Sequence, residues 1–546
     1  MAILITHGYL LTGTGSNLYV NNLVRELVKK GKDVVLVCQD FDPMAIDFVS
    51  ELYDFNAANT EAKLSGEKST KFTGSCKCYR PNLNGFLPVY VYDHYEGFEV
   101  KEFNSCSNQE VDAYVQQNFK AMDLILAEHD VEVVNTNHMV MFPYVAALLK
   151  KKHSFKFVIT VHGSALNFTV KKDKRFEQFA VQSLQVVDDI VVDSQHADEE
   201  MKEFLHEVNM ESLIQKMEII PAGVDVSSFG VAEKSRSDLA QDFIASIKSN
   251  VEVSEGRSEA LNQKILKADL RAVSVKELMD EVRAAYDYRH IDKELIAQLG
   301  DVNLDENNVF FVGKYLWTKG IYLILLAIPS ILKENPSTNF IFSGFGPFRE
   351  VAELILNFMA SNDFEGLKHE LKNNDQFAGE DGAALPLIIE VLENHEVELA
   401  AVLSQLEGDI RDRVLFTGIL NHAQLVNFLP AMDVLIAPSV FPEAFGMVAI
   451  EAAACGVYPV VTYQSAFSEI ADQVRDLVGN QIDIENVLLN SEASVSIAKN
   501  VTAYLRMKDQ VSSSQLTQFK QALRKLVVDN YSWEGIANKY LKTFKC

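Results

Sequence analysis

Two glutamates, Glu443 and Glu451, stand eight positions apart around a predicted turn and helix start. The apolar run 434–436 predicts a buried strand, and Gly446 marks a turn after it. Small and apolar residues over 447–455 favour a helix. Glu443 is therefore expected on a strand-to-helix loop, and Glu451 about one and a half turns into the helix.

The start of that helix has the chemistry of an anion site. The first backbone N–H groups of a helix have no partner inside it and carry partial positive charge, so they favour a diphosphate. A carboxylate on either side can accept paired hydrogen bonds from a vicinal diol. The arrangement suits a ligand with hydroxyls on both sides of its phosphates, such as a nucleotide sugar. The residues expected at this helix start are Phe445, Gly446, Met447 and Val448.

Two lysines occupy a similar position earlier in the chain. Lys314 follows the predicted strand 309–313, and Lys319 precedes the predicted helix 321–332. Each ammonium group can neutralise part of a diphosphate as a compact point charge. The next predicted strand ends at a glycine turn that contains Gly344 and Gly346.

The N-terminus opens with a strand, a glycine-containing loop, a helix and a second strand, which predicts a parallel sheet. The loop contains Gly13 and Gly15, but Leu18 stands where a dinucleotide fingerprint has its third glycine. A tight turn explains this pair of glycines equally well.

His162 follows the predicted strand 157–161 and is itself followed by Gly163. In open α/β sheets, ligands bind beyond the carboxyl ends of the strands, which makes this histidine a candidate for the site. A lone histidine is more often structural, and His138 is interpreted in that way.

Charge and length limit the function further. The chain has 546 residues, which indicates two or three domains, and its net charge of −26 argues against nucleic acid as a partner. The same acidity makes docking onto an anionic membrane less favourable, although peripheral contact stays open.

Cysteines and apolar runs indicate a soluble, cytoplasmic protein. The six cysteines are scattered and predict no disulfide framework. Cys76 and Cys78 are too closely spaced for the usual zinc pair, so no metal site is expected. The longest apolar runs, near 139–149 and 321–332, are shorter than a membrane span.

The stretch PEAFGMVAIEAAACG, with its two glutamates, closely resembles the donor-binding signature of family 4 retaining glycosyltransferases. The resemblance implies the GT-B fold, an α/β architecture of two Rossmann-like parallel-sheet domains facing each other across a cleft, here with helical insertions. It implies transfer of a hexose from a nucleotide-diphosphate sugar to an acceptor hydroxyl with retention of configuration. The expected donor is a UDP-sugar such as UDP-glucose, and the expected acceptor is a soluble small molecule or saccharide. Neither a metal nor another cofactor is expected.

The resemblance also implies a role for each candidate residue of the second domain. Glu443 contacts the sugar hydroxyls, Glu451 holds the ribose, and the loop amides hold the phosphates. Lys314 and Lys319 form the basic pair that holds the diphosphate.

The remaining roles concern the glycine loops and the strand-end histidine. Gly344 and Gly346 lie where the nucleotide base packs, Gly15 faces the donor phosphates and the acceptor, and His162 lies near the transferred sugar. The residues expected to act in catalysis are Glu443, His162 and Lys319.

The expected organisation has four segments. An acceptor-side domain covers 1–226, a helical insertion or linker covers 227–306, and the donor domain covers 307–528 with its own insertion at about 350–408. The final segment, 529–546, is a helix that returns to the first domain.

Two other functions stay open at this point. A sugar-nucleotide epimerase has the same two-domain architecture, and a non-catalytic sugar-nucleotide-binding protein keeps the ligand without the reaction. Within the first domain, the polar residues 56–74 are expected to form a loop or a small excursion.

Overall fold

The computed structural model of the chain describes residues 2–13, 15–91, 95–250, 256–378 and 385–545. The chain divides into two compact units. Unit 1 consists of Met1–Asp225 with Tyr531–Cys546, and unit 2 consists of Val226–Asn530.

Unit 1 is built on a nine-stranded sheet with helices packed on it. Its strands are β1 Ala2–Thr6, β2 Asp33–Val37, β3 Glu51–Phe55, β4 Ala62–Glu67, β5 Ser75–Arg80, β6 Phe86–Val89, β7 Glu99–Glu102, β8 Val131–Asn137, β9 Lys156–Val161, β10 Asp189–Val192 and β11 Met217–Ile219. Its first helices are α1 Ser16–Lys29, α2 Asn108–Glu128, α3 Phe142–Leu149, the short α4 Gly163–Ala165, α5 Lys174–Leu184 and α6 Gln195–Glu207.

The large sheet has the order β11-β10-β9-β8-β1-β2-β5-β3-β4, and β6 pairs separately with β7. All neighbours are parallel except β3 and β4. The strand order reverses direction between β1 and β8, so their carboxyl ends border the crevice where open α/β sheets bind ligands.

The polar residues 56–74 form a loop only at the two ends of the segment. Residues 62–67 form β4, which pairs antiparallel with β3 at the sheet edge. This strand is mostly exposed, which explains why its sequence lacks the apolar alternation that predicts a strand.

Unit 2 has a five-stranded sheet that is parallel throughout. Its strands are β12 Asn307–Lys314, β13 Thr338–Phe345, β14 Val414–Phe416, β15 Val434–Ala437 and β16 Tyr458–Val461. Its helices are α7 Arg236–Asn250, α8 Glu259–Leu266, α9 Val275–Arg283, α10 Leu295–Asp301, α11 Ile321–Glu334, α12 Arg349–Ala360, α13 Phe364–Asn373, α14 Asp375–Ala378, α15 Leu385–Leu403, α16 His422–Phe428, α17 Met447–Ala454, α18 Ser465–Val478, α19 Ala493–Gln510 and α20 Ser513–Tyr531.

The order β14-β13-β12-β15-β16 is that of a Rossmann sheet, with its switch point between β12 and β15. The core helix α11 is buried almost all round, because it packs against α12, α15 and α19. The last helix, α21 Trp533–Phe544, belongs to unit 1, where it packs against α1. In the described parts of the chain, no helix has the length and apolarity needed to cross a bilayer.

Candidate functional site

The switch point of the unit 2 sheet brings together residues from two distant segments. Lys314 is the last residue of β12, and Lys319 closes a short helical turn just after it. Glu443 lies on the loop that follows β15 and leads into α17. The ammonium nitrogen of Lys319 lies 2.5 Å from Oε1 of Glu443, although the two residues are 124 positions apart in sequence.

Glu443 is held by more than its lysine. The Ser439 hydroxyl donates to the same carboxylate oxygen, and the Glu443 amide donates to the Ser465 hydroxyl over 2.9 Å. The side chains of Lys319 and Glu443 remain 32% and 21% exposed, so a ligand can reach both. Neither serine was singled out from the sequence, because hydroxyl residues in loops are common and their partners lie in other segments.

The loop that carries Glu443 is held by hydrogen bonds to two neighbouring segments. The Val440 amide donates to the Thr318 carbonyl over 2.9 Å, and the Thr462 hydroxyl donates to the Ser439 carbonyl over 2.7 Å. A Cβ atom on Gly320 would lie 2.0 Å from the Pro438 carbonyl oxygen, so only glycine permits this approach. The loop is therefore fixed before any ligand binds.

Helix α17 begins without a side-chain cap. Its N-cap is Gly446 in the left-handed region, and no side chain accepts a hydrogen bond from the first turn, which starts with Met447 and Val448. Phe445, immediately before the cap, is buried. A helix start of this kind presents amide hydrogens and the positive end of the helix dipole to an anion.

Glu451 lies in the second turn of α17 and is buried. Burial raises the pKa of its carboxyl group to about 8. Among the described residues, this carboxyl group has no hydrogen-bond donor or cation as a partner, and burial alone accounts for the raised pKa. At neutral pH the group is therefore mostly protonated and has unused capacity for hydrogen bonds.

The glycines at the end of β13 allow the strand ends to touch. Gly344 and Gly346 have φ angles of 152° and 138°, and a Cβ on Gly344 would lie 1.8 Å from the Gly313 carbonyl oxygen. The Tyr315 amide donates to the Phe345 carbonyl over 2.6 Å. The loop after β13 is thus joined to the residue that follows Lys314.

In unit 1, His162 follows β9 and is buried. Its Nε2 lies 3.0 Å from Oδ1 of Asn137, and the amide nitrogen of Asn137 donates to the Thr6 carbonyl over 3.1 Å. The Asn137 oxygen therefore faces the imidazole, which requires Nε2 of His162 to carry the proton. Burial lowers the pKa of His162 to about 3, with a smaller contribution from His7. His162 is thus neutral, and its Nδ1 can accept a hydrogen bond.

His138, interpreted from the sequence as a structural histidine, lies in a cluster of three histidines. Its ring centroid lies 4.9 Å from that of His162 and 5.6 Å from that of His7. Both of its ring nitrogens are buried without a hydrogen-bond partner among the described residues, and burial lowers its pKa well below the usual value. The three histidines follow β1, β8 and β9, which are adjacent in the sheet. This shared position at strand ends is the sequence signal that identifies the cluster.

Gly15 is the N-cap of α1, with a φ of 58°. The loop before it is tied to His7, because Nε2 of His7 lies 2.9 Å from Oδ1 of Asn17 and the Asn17 amide donates to the Thr12 carbonyl over 2.8 Å. A Cβ on Gly15 would meet no atom within 4 Å, so the space around it is open. Asn17 was not predicted from the sequence.

No cluster of three or more His, Cys, Asp or Glu side chains suited to a metal ion occurs within 2–13, 15–91, 95–250, 256–378 and 385–545.

Two family descriptions match the sequence. Residues 87–228 match Glycosyltransferase Family 4, and residues 382–506 match Glycosyl transferases group 1. The two matches support a family 4 glycosyltransferase, in agreement with the signature resemblance around Glu443.

A curated relative of the chain is the uncharacterized glycosyltransferase MJ1607 of Methanocaldococcus jannaschii. The two are 24% identical over 245 residues, which cover 44% of this chain and 45% of that protein. The match therefore spans less than half the length of the relative.

Solved structures confirm the predicted GT-B fold class. A glycosyltransferase from Rickettsia africae matches with a TM-score of 0.52 at 15% identity, covering 100% of this chain and 97% of that one. Starch synthase IV from Arabidopsis thaliana, bound to ADP and acarbose, gives 0.53 at 13% identity, with 100% and 98% covered. Anabaena HepE in complex with UDP gives 0.51 at 13% identity, with 100% of both chains covered. At these identities the likeness establishes the fold alone.

Proposed function

We propose that this family 4 chain transfers a hexose from a nucleotide-diphosphate sugar, with UDP-sugar as the favoured donor, to an acceptor hydroxyl with retention of configuration. The observation that carries the proposal is the Lys319–Glu443 pair next to the uncapped start of α17, with the buried Glu451 behind it. All of these groups lie at the switch point of the unit 2 sheet.

The leaving diphosphate is the first requirement. Its negative charge grows as the bond to the sugar breaks, and fixed positive groups nearby lower the barrier. The amides at Met447 and Val448 supply the helix dipole, while Lys319 and Lys314 supply ammonium groups. These groups meet the need for positive charge without a divalent ion, and we propose metal-independent catalysis on that basis.

The two glutamates grip the ligand on either side of its phosphates. Glu451 accepts hydrogen bonds from the ribose diol, which supplies the donors that its carboxyl group lacks among the described residues. Glu443, oriented by Ser439 and Ser465, accepts from hydroxyls of the transferred sugar. Orientation of the sugar is the main demand here, because the transition state has oxocarbenium character.

The histidine on unit 1 has a narrower role than acid–base catalysis. A neutral His162 with a pKa of about 3 does not donate a proton to a leaving group at neutral pH. We propose that its Nδ1 accepts a hydrogen bond from a sugar or acceptor hydroxyl, and that Gly15 leaves room for the ligand at the start of α1.

The donor and acceptor are proposed by class. HepE in complex with UDP and starch synthase IV bound to ADP support a nucleoside diphosphate as the leaving group. The acidity of the chain supports an acceptor that is a soluble small molecule or saccharide, met in the cytoplasm.

The test is a transfer assay on the full chain. Purified protein is incubated with UDP-, ADP- and GDP-hexoses, with and without small sugar acceptors, and nucleoside diphosphate release and the anomeric configuration of the product are measured by NMR. A glycoside with the configuration of the donor supports the proposal. An altered sugar formed without acceptor identifies an epimerase, and binding without reaction identifies a non-catalytic protein; either result refutes transfer.

A further inference from the structure

The segment 286–292, between α9 and α10, lies against the glycine loop of the donor site. Arg283, at the end of α9, donates to the Pro347 carbonyl over 2.7 Å. Ile291 forms a backbone bridge with Gly418, whose carbonyl accepts a hydrogen bond from the Gly344 amide over 2.9 Å. A stretch of the helical insertion is therefore joined by backbone contacts to the loop that holds Gly344 and Gly346.

This segment places an aromatic ring beside the loop. The ring of Tyr288 stacks on that of Phe345, with centroids 6.1 Å apart and planes 9° from parallel. Tyr288 is 50% exposed, so core packing does not account for its position. The half-exposed Tyr288 ring therefore lies on Phe345, the residue between the two glycines of the turn.

A buried charge network fixes the segment to α12, the helix that starts just after the loop. Arg349 donates to both oxygens of Asp292, over 2.7 and 2.6 Å. The Tyr286 hydroxyl donates to Glu350 over 2.7 Å, and Arg257 donates to the same carboxylate oxygen over 2.9 Å. Because unpairing such buried charges is costly, the residues on either side of Tyr288 are firmly positioned.

We propose that Tyr288 is a recognition residue for the nucleobase of the donor, contributed by the insertion. The inference rests on the proposed function, since it assigns the base end of the nucleotide to the exposed Tyr288 ring beside Gly344 and Gly346. A base stacks on a flat aromatic face through its own π face, and any base can do so. The contact therefore adds affinity for nucleoside diphosphates as a class and discriminates little among bases.

The experiment is calorimetric titration of the full chain with UDP, ADP and base-free inorganic pyrophosphate. Tyr288→Ala removes the ring, Tyr288→Leu keeps apolar bulk without a π face, and Tyr288→Phe keeps the ring. Val273→Ala is the matched control, because Val273 is 44% exposed in the same insertion. Thermal unfolding of each variant checks that it is folded.

We expect Tyr288→Ala to weaken UDP and ADP binding by about five- to a hundredfold, the usual range for loss of one base–aromatic stack. Tyr288→Leu should show a smaller loss in the same direction. Tyr288→Phe and Val273→Ala should bind both nucleotides as the wild type does, and pyrophosphate binding should be the same in all variants.

Unchanged UDP affinity in Tyr288→Ala, or an equal loss for UDP and pyrophosphate, would overturn the inference while leaving the proposed function intact. A wild-type chain that binds no nucleoside diphosphate would refute the proposed function itself. The two failures are therefore distinguishable.

Discussion

The raised pKa of Glu451 predicts that nucleotide binding releases a proton. Burial disfavours the charged form of this carboxyl group and raises its pKa to about 8. A ribose diol donates two hydrogen bonds, which a carboxylate accepts better than a carboxylic acid does. Binding should therefore lower the pKa of Glu451 below neutral pH and release the proton.

The size of the effect follows from the pKa. At pH 7, a group with a pKa near 8 binds about 0.9 proton, so about 0.9 proton should leave per nucleotide bound. Deprotonation at that pH costs about 1.4 kcal/mol, a factor of about ten in affinity. UDP affinity of the wild type should accordingly rise about tenfold from pH 7 to about pH 9.

The assay is calorimetric titration with UDP in two buffers of different ionisation enthalpy, since the difference in heat reports the protons released. Glu451→Gln is the matched variant, because it keeps the shape and cannot titrate. After the titration of UDP itself is subtracted, Glu451→Gln should release no proton from position 451 when UDP binds. Its affinity for UDP should stay constant over the same pH range.

Stability gives an independent check of the same pKa. In the folded chain Glu451 holds its proton up to a pKa of about 8, against 4.5 in the unfolded chain, so stability is lost as the pH rises through this window. Between about pH 6 and about pH 8.5 the wild type should lose about 2 to 3 kcal/mol of unfolding free energy relative to Glu451→Gln. Equal proton release by the two proteins, together with parallel stability curves, would refute the reasoning.

Three further predictions test other parts of the site. Glu443→Gln and Lys319→Ala should each lower the transfer rate at least about a hundredfold, the scale for losing one transition-state stabiliser; near-normal turnover would remove these residues from catalysis. Gly446→Ala should lower the unfolding free energy by about 2 to 4 kcal/mol in denaturant titration, because its φ is 84° and the new Cβ would lie 2.1 Å from the Phe467 ring; an unchanged midpoint would contradict this. The pKa of His162 is lowered from 6.5 to about 3, so between about pH 7.5 and about pH 5 only the unfolded chain takes up this proton. The unfolding free energy of the wild type should therefore fall by about 2 kcal/mol over this range relative to that of His162→Gln. A constant difference in unfolding free energy between the two proteins would disprove the shift.

Local sequence patterns predicted parallel α/β sheets and placed Glu443 and Glu451 around a helix start, because such patterns depend on residues close together in the chain. The GT-B fold and the family followed from the resemblance of this stretch to the family 4 signature; the two family matches support the family, and the solved structures confirm the fold. The roles of the individual site residues stay predictions. The polar edge strand β4 was missed, since a strand that buries little has little apolar pattern.

The sequence by itself determined which residue types stand at the ends of strands and at the start of α17. Only the tertiary structure decided that Lys319 contacts Glu443, that His138 lies against His162, and that Tyr288 stacks beside the donor loop. It also decided that Glu451 titrates near pH 8. The physical reason is that strand order and burial bring together groups from distant segments and remove water from around them, and neither effect is encoded in the spacing of neighbouring residues.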